Sequence, residues 1–367
     1  MKFNPARLSV ARKRQKLNKK QLADLIGVDL RTTVRWEQCQ TEPTSENLDA
    51  IVSVLGFPRL FFFGQSIDEP IGEYVSFRSQ TSMTAAEREA ALAAGQIGFL
   101  ISDWVTERFD LPEAKLPDLQ LFDPESAAQM LRQEWGLGEK PISNMIQLLE
   151  SKGVRVFSLA ENTTHVNAYS LWRRDVPYVF LNTVKSAESS RFDAAHELAH
   201  LVLHQSGGVT GRTAEEQANR FASAFLMPKG DVLSALPCAH SLRQLITEKK
   251  RWRVSLAALN YRVHELNLIS DWKYRGFCIE IIKRGYNKNE PGEIKREKSV
   301  VWEKVLKTLW SEKTTHLDIA DALAIPTDEV GDLLFGVLNT TVAGKTIQPK
   351  PLTIVSDQEE DDPQATA

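Results

Sequence analysis

His196, Glu197, Leu198, Ala199 and His200 set two imidazoles four residues apart, with a carboxylate directly after the first. Residues i and i+4 share one face of a helix, so both rings can converge on one cation while Glu197 stands beside its open coordination position. The pattern points to a catalytic zinc ion (Zn2+), which takes three protein ligands plus a water and lowers that water's pKa to about 7. Glu197 is then the base that removes the proton. The third ligand is sought in the next amphipathic stretch, Thr213 to Pro228, whose first turn offers Glu215 and Glu216. Small alanines there let two helices approach closely, and either carboxylate can reach across; Glu215 is preferred. His204 extends the histidine face by one more turn, roughly 6 Å along the axis, so it is read as a residue behind the ligands. Asp193, one turn before His196, either orients a ligand imidazole or serves as a first-turn carboxylate. His165, His240, His264 and His316 have no such neighbours.

A second group of residues speaks for nucleic acid. The first 38 residues carry ten basic and three acidic side chains, a surplus hidden in a net charge of -3. In Leu30 to Glu37, Leu30 and Val34 are four apart and are expected to pack inward, leaving Arg31, Thr32, Thr33 and Arg35 facing out. That suits a recognition helix in the major groove of double-stranded DNA. Arginine bonds guanine bidentately and threonine meets a thymine methyl or a phosphate, while Gln21, with Lys19 or Lys20, contacts the backbone. At the other end Asp357, Glu359, Glu360, Asp361 and Asp362 lie in an acidic stretch poor in apolar residues, expected to be disordered.

These residues need elements to position them. A chain of 367 residues, 42% hydrophobic and 25% charged, has room for several cores and is ordinary for a globular protein. Asn18 and Asp29 are N-cap candidates, Gly27 a stop signal, and Ser45 with Glu46 opens a further helix ending near Gly56, which together describe a bundle of short helices. A long helical pattern, Thr84 to Phe109, reads as a connector or interface helix. Two shorter helices follow, Glu125 to Trp135 and Ile142 to Lys152. From Gly153 the period changes: Val154 to Leu159, Asn167 to Trp172 and Tyr178 to Asn182 are short and β-branched or aromatic, the marks of a small sheet. Helices resume at Ser190 to His204, Thr213 to Leu226, Leu242 to Glu248 and Leu256 to Leu266. Val300 to Trp310 and Asp318 to Leu334 close the pattern. The last segment has helix-turn-helix rhythm, yet Asp318, Asp321, Asp328, Glu329 and Asp332 would repel phosphate, so it is read as a packing or partner module.

The longest uncharged run in the helical region, Ala90 to Ser102, is too short to span a membrane. The basic start lacks the apolar stretch of a secretory signal. A cytoplasmic protein is expected, with Cys39, Cys238 and Cys278 as ordinary reduced thiols.

At the metal motif the chain resembles a known family. Arg191 to His204 (RFDAAHELAHLVLH) and Glu215 to Pro228 (EEQANRFASAFLMP) look like the ImmA/IrrE metallo-endopeptidases, and the similarity extends over roughly Glu125 to Pro291. The resemblance implies a gluzincin-like site with Glu215 as third ligand, and transcriptional repressors as substrates. Asp193 stands where that family has Thr. Arg7 to Gly64, with Gln21 to Val28 (QLADLIGV), Trp36-Glu37 and Pro43, resembles the Cro/repressor, or XRE-type, helix-turn-helix family. Here Gln38, Cys39, Gln40 and Thr41 replace that family's glycine-plus-basic turn.

The expected fold is therefore mostly helical α+β. It comprises a helix-turn-helix bundle over 1–64, a helical connector over 65–123, and a zinc peptidase domain with a small sheet over 124–291. A helical C-terminal module over 292–350 and an acidic tail over 351–367 complete it. Expected partners are double-stranded DNA, a repressor-type protein substrate and a second copy in a homodimer, with no membrane. Two functions follow. One is a DNA-bound regulator that cleaves a repressor; the other is a transcription factor whose zinc fold senses a ligand or metal and cuts nothing.

Overall fold

The computed structural model describes residues 2–70, 76–77, 83–159, 168–205 and 209–335. The acidic tail, the end of the C-terminal module, His165 and Asn167 lie outside these. The chain is mostly helical with one small sheet.

Helices α1 (Pro5–Arg14), α2 (Lys19–Ile26), α3 (Leu30–Glu37) and α4 (Ser45–Leu55) form the first bundle, closed by a 3₁₀ turn at Arg59–Phe63. Their ends follow local chemistry. Asn4, Asn18, Asp29 and Thr44 accept hydrogen bonds from first-turn amides, and Gly27 and Gly56 end α2 and α4 in the left-handed conformation that glycine adopts without strain. Strand β1 (Ser76–Phe77) and helix α5 (Ala85–Thr106) come next, followed by α6 (Pro124–Glu134) and α7 (Met145–Ser151). Strands β2 (Arg155–Leu159), β3 (Tyr169–Arg173) and β4 (Val176–Asn182) then lead to α8 (Ala187–Leu203) and α9 (Gly211–Leu226). The described chain ends with α10 (Lys229–Ala235), α11 (Leu242–Trp252), α12 (Leu256–Glu265), α13 (Asp271–Lys283), α14 (Val300–Ser311), α15 (His316–Leu323) and α16 (Thr327–Leu333).

The sheet order is β1-β3-β4-β2, with β2 and β4 parallel and the other pairs antiparallel. Arg174 and Asp175, both at positive φ, make the tight β3–β4 turn, the twist that suits a two-residue hairpin. Side chains alternate across the sheet, and the two faces have different partners. Phe157, Tyr169, Tyr178 and Phe180 face α5 and share a core with the first bundle and α14–α16. Val156, Ala168, Val179 and Leu181 face α8 and share a core with α6–α13.

Helix α5, expected as a connector, is buried along most of its length. Gly95 and Gly98 explain how it lies so close to the sheet: a Cβ on Gly95 would stand 2.2 Å from the Tyr169 hydroxyl, and one on Gly98 3.0 Å from the Phe180 ring. Tyr169 donates to the Ala91 carbonyl, and Arg173 clamps Asp103 bidentately at 2.6 and 2.8 Å. The first bundle rests on the other side of this helix through α1, and Arg14 pairs with Glu329 of α16 at 2.8 Å. The acidic C-terminal module thus packs against the basic one. No helix among the described residues is long and apolar enough to cross a membrane.

Candidate functional site

α8 lies on the aliphatic face of the sheet and α9 packs along it through Ala218, Phe221, Ala222 and Phe225. Ser186 caps α8 by accepting from the Ser189 amide. His196 and His200, one turn apart, bring their Nε2 atoms to 3.1 Å, and Glu215 of α9 reaches both, at 3.4 Å from each. Tetrahedral ligands at 2.0–2.1 Å from one zinc ion stand about 3.3 Å apart, so these three donors fit such an ion. They form a cluster of metal-ligand type whose ligand atoms all lie within 4.8 Å of one another. Burial alone would raise the Glu215 pKa, but the two imidazoles overcome it and hold the carboxyl far below its usual range. Glu216, the alternative third ligand, is exposed and pairs with Arg212 one turn back.

The ligand rings are braced from behind. Asn219 Oδ1 lies 3.1 Å from His196 Nδ1, and His204 Nδ1 lies 2.9 Å from His200 Nδ1. His204 Nε2 in turn meets Gln217 Oε1 at 2.9 Å, and burial lowers the pKa of this ring. Asp193 is buried and bonded to Lys185 at 2.9 Å. The group on His196 Nδ1 is thus Asn219, which sequence reasoning did not single out, although its place one turn after Glu215 was a signal. Gln217 gave none.

Glu197 is fully buried, and the Ser170 hydroxyl of β3 donates to its Oε2 at 2.6 Å. β4 lies inside the sheet, so Tyr178 to Asn182 offers no free edge to an extended peptide. β3 is the strand nearest Glu197, and across from Ser170 its outer edge pairs with Ser76. Beside Asn219 a cavity of about 830 Å³ opens between α8, α9 and α12, lined by Lys185, Phe192, Asp193, Arg220 and Tyr261 among others.

On the first bundle the structure corrects the orientation expected for α3. Leu30 is 41% exposed, whereas Thr33 and Trp36 are buried. Thr33 bonds the carbonyls of Leu30 and Lys19 and so cannot reach a base edge. The reason is the Trp36-Glu37 pair. Trp36 fills the core, and Glu37 is clamped by Arg12 at 2.5 and 3.1 Å and by Lys19 at 3.2 Å, which rotates Thr33 inward. Arg31 and Arg35 are exposed and Thr32 is half-buried. Gln21 is also exposed, with its side chain closing the capping box of α2. Arg7, Arg12 and Arg14 turn toward protein partners, so part of the N-terminal basic surplus is structural.

These two constellations have counterparts among known families. Residues 149–264 match the IrrE N-terminal-like domain of peptidase family M78, and residues 8–62 match a helix-turn-helix family. No curated protein matches the chain. The chain thus joins an XRE-type helix-turn-helix segment to an ImmA/IrrE-type, metallopeptidase-like domain.

Proposed function

We propose that this protein is a DNA-binding transcriptional regulator whose zinc-dependent endopeptidase domain hydrolyses a peptide bond in a repressor-type protein, derepressing stress or mobile-element genes. The observation that carries this reading is the convergence of His196, His200 and Glu215, with Glu197 next to the first ligand. Holding a metal needs only the three ligands; a carboxylate retained at position 197 has use as a base. His196, His200 and Glu215 would hold a zinc ion, which would supply Lewis acidity at this point. Glu197 takes the proton of the attacking water and passes it to the leaving amine. The cavity beside Asn219 receives a side chain of the bound peptide. Arg31, Thr32 and Arg35, with Gln21, face the DNA.

Co-encoded repressor-type proteins incubated with the zinc-loaded chain should yield one defined pair of fragments by mass spectrometry. Glu197→Gln, which keeps shape and nearly keeps volume, should retain zinc and DNA binding and yield none. Intact proteins in both incubations would overturn the peptidase reading.

One observation favours the second reading, a non-proteolytic factor whose zinc fold senses a ligand or metal. Glu197 and His196 have no exposed surface, and the Glu215 side chain is 24% exposed. A sensor does not need an open cleft. In that case the Gln variant regulates its target as the parent does.

A further inference from the structure

His196 and His200 of α8, with His204 at its C-cap, form a directed chain whose far end is an amide oxygen. A neutral imidazole carries one N–H and one lone pair, and to ligate through Nε2 it must hold its proton on Nδ1. For His196 this is direct, because Asn219 Oδ1, an acceptor, stands 3.1 Å from Nδ1. For His200 the neighbour at 2.9 Å is another imidazole nitrogen, Nδ1 of His204. Only one proton fits between two such nitrogens. His204 accepts it only if its own proton sits on Nε2, and Nε2 faces Gln217 Oε1 at 2.9 Å, an atom that can only accept.

We infer that Gln217 is a positioning residue for the metal centre: acting through His204, it fixes which nitrogen of His200 is free to hold the ion. α9 then supplies three parts of the site, the ligand Glu215 and one carboxamide oxygen behind each ligand histidine. The inference rests on the metal reading of His196, His200 and Glu215. Groups that hold the second nitrogen of a ligand histidine commonly set metal affinity by 10- to 100-fold.

The chain of donors has a sign, and that sign is testable. Gln217→Glu keeps an acceptor against His204 Nε2 and preserves the order of protons. Gln217→Lys offers only donors and reverses it, placing a proton on the very nitrogen of His200 that must ligate. Gln217 is half-buried at the surface of α9, so both variants are compatible with the fold. Zinc affinity is measured by competition with a chromogenic chelator, and the visible spectrum of the cobalt-loaded protein is recorded alongside. The Glu variant should bind within about threefold of the parent with its cobalt bands unmoved, and the Lys variant should bind roughly 10- to 100-fold more weakly with shifted bands.

The same two substitutions in a His204→Ala background isolate the relay from the bare charge difference, because with His204 gone only the through-space effect is left. The gap between Glu and Lys should shrink by at least tenfold there. Equal affinities for the two variants, or a gap that survives undiminished without His204, would overturn the inference while leaving the metal site intact. A parent chain that binds no zinc overturns the metal reading and this inference with it.

Discussion

On α8 the polar side chains point into the protein and each finds a partner there: His196 has Asn219, His200 has His204, Glu197 has Ser170 and Asp193 has Lys185. On α3 the residues expected to touch a ligand are long, charged and turned to solvent, and the polar residue that is pinned, Thr33, is pinned away from it. Burial explains the contrast. A polar group removed from water loses free energy unless it is bonded, so a buried site must be built with its supports in place. An exposed face carries no such cost and leaves its side chains to be ordered by the partner.

If that contrast holds, the largest effects belong to α8. His200→Ala removes a ligand from a closed three-donor set, and zinc content should fall from about one per chain to under a tenth. Metal analysis after dialysis checks this; unchanged zinc in the variant would dissolve the comparison at its stronger end.

The same rule extends to a buried carboxylate away from the site. Glu150 of α7 accepts from the Val300 and Val301 amides and from the Ser299 hydroxyl, so it caps α14 from inside the protein. Burial pushes its pKa up to about 7, against the bonds it accepts. A carboxyl whose folded pKa lies above its unfolded one stabilises fully below the unfolded value, near 4.5, and loses that contribution as pH rises through 7. Wild type should therefore lose roughly 2 to 4 kcal/mol relative to Glu150→Gln between pH 5 and 8. Parallel unfolding curves for the two proteins at both pH values would refute it.

The exposed helix should respond in binding instead of stability. Arg31→Ala and Arg35→Ala should each leave thermal unfolding unchanged and relax base preference by about 1 to 3 kcal/mol. Thr33→Val, in contrast, removes a buried hydroxyl bonded to two carbonyls; it should cost about 1 kcal/mol of stability and leave base preference alone. Competition binding with single-site operator variants distinguishes these. A loss of preference in the Thr33 variant at unchanged stability would reverse the assignment of faces.

What could be read from the sequence follows the same division. The two histidines and Glu197 were legible because the motif fixes them within one helical turn; the apolar stripe of the next helix brought both Glu215 and Glu216 into reach, and the family resemblance pointed to Glu215. Helix caps at Asn18, Asp29 and Gly56 were legible because capping is local. α13 was not, since Trp272, Ile279 and Ile282 lie on its exposed side while Phe277 and Ile281 are buried, leaving no single apolar face. The orientation of α3 failed because one tryptophan outweighs a leucine in choosing the buried side. Ser170 and Gln217 meet their partners 27 and 13 residues away through tertiary packing, and no local pattern encodes that.

The end of α3 offers the smallest and cleanest test. Gln38, Cys39, Gln40 and Thr41 stand in place of the glycine-plus-basic turn of the helix-turn-helix family, and of these Cys39 sits at φ 60, in the left-handed region that glycine adopts without strain. Its amide bonds the Trp36 carbonyl at 3.1 Å, and the next amide, of Gln40, bonds Arg35 at 2.9 Å, so the conformation is set by closing the helix. An L-residue there bears a steric cost of about 1 to 2 kcal/mol, and glycine gives part of that back through the greater freedom of its unfolded chain. The thiol is exposed, so little packing is lost. Cys39→Gly should then stabilise the protein by about 0.5 to 1 kcal/mol, seen as a small rise in Tm, and leave DNA affinity unchanged because Arg31 and Arg35 lie before the turn. A fall in Tm would mean that the side chain at 39 supports the turn and that the exposed end of α3 is braced after all.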